Sequence, residues 1–335
     1  MKLVCYGASV TAQQKETGYF QQLESASCAS QFESIEKVAF GASQFEYAGY
    51  AFMRDVLEKK PDLCVIDWLT PSMKGFNEFK IDLLNQALLE INCLPIWVFF
   101  PRTDNFDNIP EAYNQVLKSA ERFGVSFLDL RDYLVDFTND PQKYLRDAVH
   151  TTLEGAKCYA KVINQKIESV LPSIGEHIAR AKLSQGYSDT SQKNLAIPLI
   201  KPVIFTLNSN TSAVLEFDFK GGLFEVFFEA EIGPFICYWD FTLYHEEEII
   251  YKETLNNADP WCFYRRSMVI ETIRKRLAPG SYKLHIKKRD GNPMLEKTTR
   301  KPIEEHWEDK DRFIEIKRVS VTADNFNMSV IRSES

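Results

Sequence analysis

The sequence is poor in the features that mark several large functional classes. No run of its 335 residues is apolar over the roughly 18 positions that a membrane span needs. The N-terminus opens directly in strand-like sequence, without the basic, apolar and cleavage regions of a signal peptide. Positive charge is not in surplus: 40 Lys and Arg against 47 Asp and Glu give a formal net charge of −7. Phosphate backbones call for a basic surface, so nucleic acid is not expected as a partner. Basic clusters at Arg265-Arg266 and Arg274-Lys275-Arg276 are separated by acidic residues and read as solvated faces. The seven cysteines (Cys5, Cys28, Cys64, Cys93, Cys158, Cys237 and Cys262) include no C-x-x-C pair, which leaves no zinc site or redox dithiol. Cys5, Cys64 and Cys237 lie in apolar runs where a reduced thiol simply fills core space, and a cytoplasmic protein is the expectation. His177, His245, His285 and His306 have no metal-ligand spacing, and the full G-x-G-x-x-G of a dinucleotide site is missing. No metal or organic cofactor is expected, and no internal repeat is evident.

What is present is an ordinary globular composition, 44% hydrophobic and 26% charged, in a chain long enough for two domains. The first half alternates strand-like and helix-like stretches. Strands are expected at Leu3–Tyr6, Ile35–Phe40, Leu63–Trp68, Ile96–Phe100 and Ser126–Leu130. Helices are expected near Thr17–Ser25, Tyr47–Lys59, Phe76–Ile91, Pro110–Phe123 and Leu153–Val170. Strict alternation of this kind predicts a parallel sheet covered on both faces, a three-layer α/β/α domain over residues 1–172. Residues 173–200 are polar and weakly periodic, as a linker containing a short helix would be. From 201 to about 330 the pattern is β: short alternating runs such as Ala213–Phe219, Leu223–Ala230, Tyr264–Met268 and Tyr282–Lys287, punctuated by Gly221-Gly222 and Pro279-Gly280. These predict a β-sandwich. Arg289–Asp311 reads as a long surface loop.

Two stretches carry chemistry. The first is Gly7-Ala8-Ser9-Val10-Thr11, a small-residue turn between strand one and a helix, which in a parallel sheet presents Ser9 at the carboxyl edge where ligands bind. The alternative for Ser9 is a helix cap. The second is Asp147-Ala148-Val149-His150, just before the last helix of the first domain. A carboxylate three residues from an imidazole can accept its Nδ1–H, leaving Nε2 to take a hydroxyl proton. Serine needs such a base to act as a nucleophile at neutral pH. Both stretches follow strands of one sheet and lie on the same edge, so Ser9, His150 and Asp147 can meet.

Gly7-Ala8-Ser9-Val10-Thr11 with Asp147-x-x-His150, supported by Phe127–Asp132 and Val149–Ala156, resembles the SGNH/GDSL hydrolase family of esterases and deacetylases over residues 1–171. The resemblance implies a flavodoxin-like sheet with Ser9 as nucleophile, His150 as base and Asp147 as its orienting partner. It implies an oxyanion hole made by the backbone N–H groups of Ser9 and of Gly41, in Val38-Ala39-Phe40-Gly41-Ala42-Ser43. Two departures stand out. Ala8 occupies the place of the usual Asp, and Pro71 stands where the family's third motif has an Asn that donates to the oxyanion. Loss of one such donor can cost on the order of 10²–10³ in rate. Thr70, Ser72 and Asn77 are the candidates for a substitute, with capping of the helix near Phe76 as their alternative role.

The reading is a serine-dependent acyl-ester hydrolase. By resemblance it is an acetylesterase or deacetylase, with a small acylated substrate whose alcohol is a candidate saccharide. The same triad with a sugar hydroxyl in place of water would make an O-acyltransferase using a donor such as acetyl-CoA. A third reading is a non-catalytic glycan-binding protein that keeps the fold. Trp239, Trp261 and Trp307 are candidate sugar-stacking platforms, against the alternative that they are sandwich core.

Overall fold

The computed structural model describes residues 1–70, 75–135, 137–191 and 197–332. These form two compact units, Met1–Leu195 and Ala196–Ser335. The strands of the first unit are β1 (Lys2–Gly7), β2 (Ser34–Ala39), β3 (Leu63–Asp67), β4 (Leu94–Phe99) and β5 (Ser126–Asp129). They pair in parallel in the order β2-β1-β3-β4-β5. β3 and β4 are buried at every position, as continuous apolar runs in a doubly covered sheet must be. The chain runs from β1 to β2 on one side and returns to β3 on the other. The switch in direction therefore falls between β1 and β3, where α/β sheets open a crevice beyond their carboxyl ends.

Helices α1 (Ser9–Ala12), α2 (Tyr19–Glu24), α3 (Met53–Leu57), α4 (Glu78–Glu90), α5 (Glu111–Phe123) and α6 (Leu153–Val170) connect and cover the strands. The stretch Tyr47–Lys59, expected as one helix, is instead preceded and begun by a π-helical turn over Phe45–Gly49, with α3 following. Gly49 is packed so closely on Phe45 and Trp68 that a Cβ there would lie 2.6 Å from one ring and 2.9 Å from the other. The expected linker is different too. Its first part forms α7 (Ile174–Lys182) and α8 (Gln185–Ser191), which pack on α4 and α5. Ile178 and Ala181 are buried and Tyr187 packs beside them, so an apolar face only a few residues wide outweighs a polar composition.

The second unit is a β-sandwich. One antiparallel sheet has the order β10-β9-β12-β7-β14 and the other β11-β8-β13-β6, with β6 (Leu199–Leu207), β7 (Thr211–Phe219), β8 (Gly222–Ile232), β9 (Tyr238–His245), β10 (Glu248–Leu255), β11 (Arg266–Leu277), β12 (Gly280–Arg289), β13 (Ile314–Val321) and β14 (Asn325–Arg332). Alternate residues meet between the sheets, as where Phe217 stacks on Phe224 with centroids 4.2 Å apart. Trp239 belongs to this core and is fully buried. Trp307 packs edge-on against Phe235 and Phe313. Trp261 is the exposed one, with the Arg300 guanidinium 4.2 Å above its ring.

Gly7 ends β1 for a steric reason. Its φ is not positive. A Cβ, however, would lie 2.5 Å from the Asp67 carbonyl oxygen and 2.4 Å from Thr11 Oγ1. Backbone held in a sheet cannot yield to it. Gly7→Ala is expected to destabilise the first unit by about 1–3 kcal/mol, seen as a lowered midpoint of denaturant unfolding.

Candidate active site

Strand pairing brings the end of β1 beside the end of β3, with Gly7 opposite Asp67. The Ala8 N–H donates to the Asp67 carbonyl at 3.0 Å, fixing the turn that carries Ser9 into the first turn of α1. The Asp67 carboxyl is fully buried beneath this turn and accepts from Thr11 Oγ1 at 3.0 Å and from Thr70 Oγ1. Thr11 in turn meets the Tyr19 hydroxyl at 3.0 Å. Burial raises the Asp67 carboxyl to about 6, against the lowering effect of the Thr70 and Thr11 hydroxyls.

The second half of the site is the segment before α6. His150 Nδ1 lies 2.8 Å from Asp147 Oδ2 and 3.1 Å from Oδ1. Asp147 Oδ1 also accepts from the backbone N–H groups of His150 at 2.8 Å and Val149 at 2.9 Å. Partial burial acts to raise this carboxyl, but those N–H groups and the imidazole outweigh it and hold it below the ordinary carboxylate range. Thr152 caps α6, its Oγ1 accepting from the Gly155 N–H at 3.1 Å, and Leu145 bridges Thr151 across the loop.

Gln13, directly after α1, clasps this segment. Its Oε1 accepts from the Thr151 N–H at 3.1 Å and from Thr151 Oγ1 at 3.2 Å, while its Nε2 donates to the Thr17 carbonyl at 2.9 Å. Gln13 is four residues from Ser9, and Thr151 is next to His150, so one buried amide ties the two stretches together. Among the described residues no hydrogen bond joins Ser9 Oγ to His150. Gly41, just beyond β2, is exposed, and no described residue would touch a Cβ placed on it. Neither its N–H nor that of Ser9 donates to a described backbone carbonyl.

The candidates for a substitute donor fall differently. Thr70 is buried and its hydroxyl proton is given to Asp67, so its side chain is turned from the crevice. Asn77 caps α4, its Oδ1 accepting from the Phe79 N–H at 3.0 Å. Ser72, like Pro71, lies outside the described residues. The edge also holds a residue that the sequence reading passed over. Arg102, three residues beyond β4, donates from Nη1 to the Thr70 carbonyl at 3.4 Å. An arginine placed just past a central strand was the available signal.

No family model matches the sequence, and no curated protein does. Among solved structures the chain is similar to a two-domain esterase active on acetylated mannans. The TM-score is 0.63 at 10% identity, over 96% of this chain and 91% of that one. The structure of such an esterase co-crystallized with mannopentaose gives a TM-score of 0.66 at 10% identity, over 97% and 91% of the two chains. An acetyl xylan esterase, AlAXEase, is 20% identical over 50% of this chain and 100% of its own, with a TM-score of 0.41.

Two measurements probe this frame. Gln13→Leu removes the partner of the buried Thr151 N–H. A loss of about 1–3 kcal/mol is expected, with faster amide exchange at residues 147–151. Asp67 keeps its proton in the folded chain to about pH 6, whereas the unfolded chain releases it near 3.8. Its contribution to stability is therefore fully present below pH 4 and is lost as pH rises to about 6, by roughly 3 kcal/mol. Asp67→Asn is expected to remove that part of the slope in a pH series of unfolding midpoints. By fold, the chain is a parallel three-layer α/β/α domain joined to a β-sandwich, and its likeness to the two-domain esterase runs through both.

Proposed function

We propose that this protein is a serine-dependent ester hydrolase acting on a small acyl group, acetyl above all, carried by a saccharide. The observation that carries the reading is the His150–Asp147 pair at 2.8 Å, on a segment bonded through Gln13 to the end of the helix that begins with Ser9. The fold shared with an esterase active on acetylated mannans supports the choice of substrate.

In this mechanism Asp147 holds the imidazole with its proton on Nδ1, so Nε2 is the free base. Ser9 Oγ bonds to the acyl carbon as its proton passes to Nε2, and the carbonyl electron pair moves onto oxygen. The N–H groups of Ser9 and Gly41 receive that oxyanion. Collapse expels the sugar alkoxide, which takes the proton from His150. Water then repeats the sequence on the acyl-enzyme, releasing the acid and restoring Ser9. Asp147 is already ionised at neutral pH, and the positive imidazolium forms beside a negative charge.

Hydrolysis of p-nitrophenyl acetate is expected in the wild type and absent in Ser9→Ala and His150→Ala. Asp147→Asn, which changes the tautomer and keeps the geometry, is expected to lower kcat by about 10⁴. Fluorophosphonate should label the wild type and not Ser9→Ala. A wild type that neither turns over nor takes the label would refute the assignment. Release of acetate from acetylated mannan and from acetylated xylan, compared at equal enzyme, tests the saccharide.

A further inference from the structure

In the proposed mechanism two backbone N–H groups meet the oxyanion, and by the resemblance to the SGNH/GDSL family Pro71 stands at the place of a third donor, offering neither an N–H nor a side-chain donor. The Thr70 carbonyl, immediately before it, is met by the Arg102 guanidinium. Arg102 follows β4, and β4 lies next to β3, so the side chain reaches the crevice from the adjacent strand.

Its placement is built. The Arg102 N–H donates at 2.8 Å to Oδ1 of the fully buried Asn105. Nε and Nη2 fork onto Asp104 at 2.7 and 2.8 Å. The next residue, Thr103, donates its N–H to the Ala148 carbonyl at 3.1 Å, joining this loop to the segment that bears Asp147 and His150. Asp147 also acts on Arg102 electrostatically, reinforcing the effect of Asp104. The loop that bears Arg102 is thus tied to the His150 loop, and the guanidinium to the end of β3. Among the described residues, Asp104 and Thr70 engage three of its five N–H bonds, and one each on Nη1 and Nη2 has no described partner. The side chain is 18% exposed, so it is open on one side.

We propose that Arg102 is a catalytic residue that donates one of these N–H bonds to the acyl oxygen as it becomes an oxyanion, in the role that Pro71 cannot fill. The assignment rests on the serine esterase reading. No proton changes hands: the guanidinium stays protonated, and its charge balances the negative charge that appears on the oxygen when Ser9 attacks and disappears when the alkoxide leaves.

The test is Arg102→Ala and Arg102→Lys in the full chain, assayed on p-nitrophenyl acetate with fluorophosphonate titration of active enzyme. For Arg102→Ala a fall in kcat of about 10²-fold is expected, with KM and Tm little changed. Free guanidinium, added below denaturing concentration, should restore part of the rate in Arg102→Ala and not in the wild type. Lysine, a point charge without the planar fork, should recover the rate only in part. A kcat equal to wild type in Arg102→Ala, a loss confined to KM, or no rescue by guanidinium overturns the assignment while leaving the esterase reading intact. A wild type that neither turns over nor is labelled overturns both.

Discussion

The carboxyl edge of the sheet depends on the contact of Gly7 with Asp67. β1 and β3 can approach closely enough for the Ala8 N–H to reach the Asp67 carbonyl only because residue 7 has no side chain. That approach sets the turn before Ser9 and leaves the Asp67 carboxyl beneath it, out of water. A carboxyl there must be hydrogen-bonded, and Thr11 and Thr70 supply the donors, one from the first helix and one from the end of β3. The same residue therefore locks both walls of the crevice. Its raised proton affinity follows from burial in a site whose donors are neutral hydroxyls and not cations.

The remaining site groups reach this frame from separate loops, and the loops are tied down by backbone, amide and hydroxyl hydrogen bonds. Gln13 fastens the His150 loop, Thr103 fastens the loop after β4, and Thr152 caps the helix that follows. Hydrogen bonds of this kind have fixed directions, and they set orientation more narrowly than charge attraction does. Asp147 shows the consequence: three donors from its own loop converge on one carboxylate, so its oxygens point where the imidazole needs them.

Much of the frame was legible in the sequence because it is local. β1, β3 and β4 are nearly continuous apolar runs, and a single chain segment holds both Asp147 and His150. The failures have tertiary causes. β14 and most of β11 were missed because β14 is an edge strand with a largely exposed face, and β11 carries Glu271, Arg274, Lys275 and Arg276 past a bulge between Glu271 and Ile273. α7 and α8 bury little, so composition hid them. Thr70 and Asn77 were rational donors by position, but nothing in the sequence could show that Thr70 turns inward to Asp67. Arg102 and Gln13 are defined by partners 32 and 138 residues away, a relation that no spacing rule expresses.

The surroundings of Gly41 differ from those of Gly7. No described atom lies near where its Cβ would be, and its φ is not positive, so the glycine is required neither by space nor by backbone conformation. Any residue but proline there would present the same N–H. A side chain at position 41 would project from beyond the end of β2 into space that no described atom fills. A substitution at position 41 can therefore reshape this end of the sheet while the turn, the floor and the histidine loop stay unchanged.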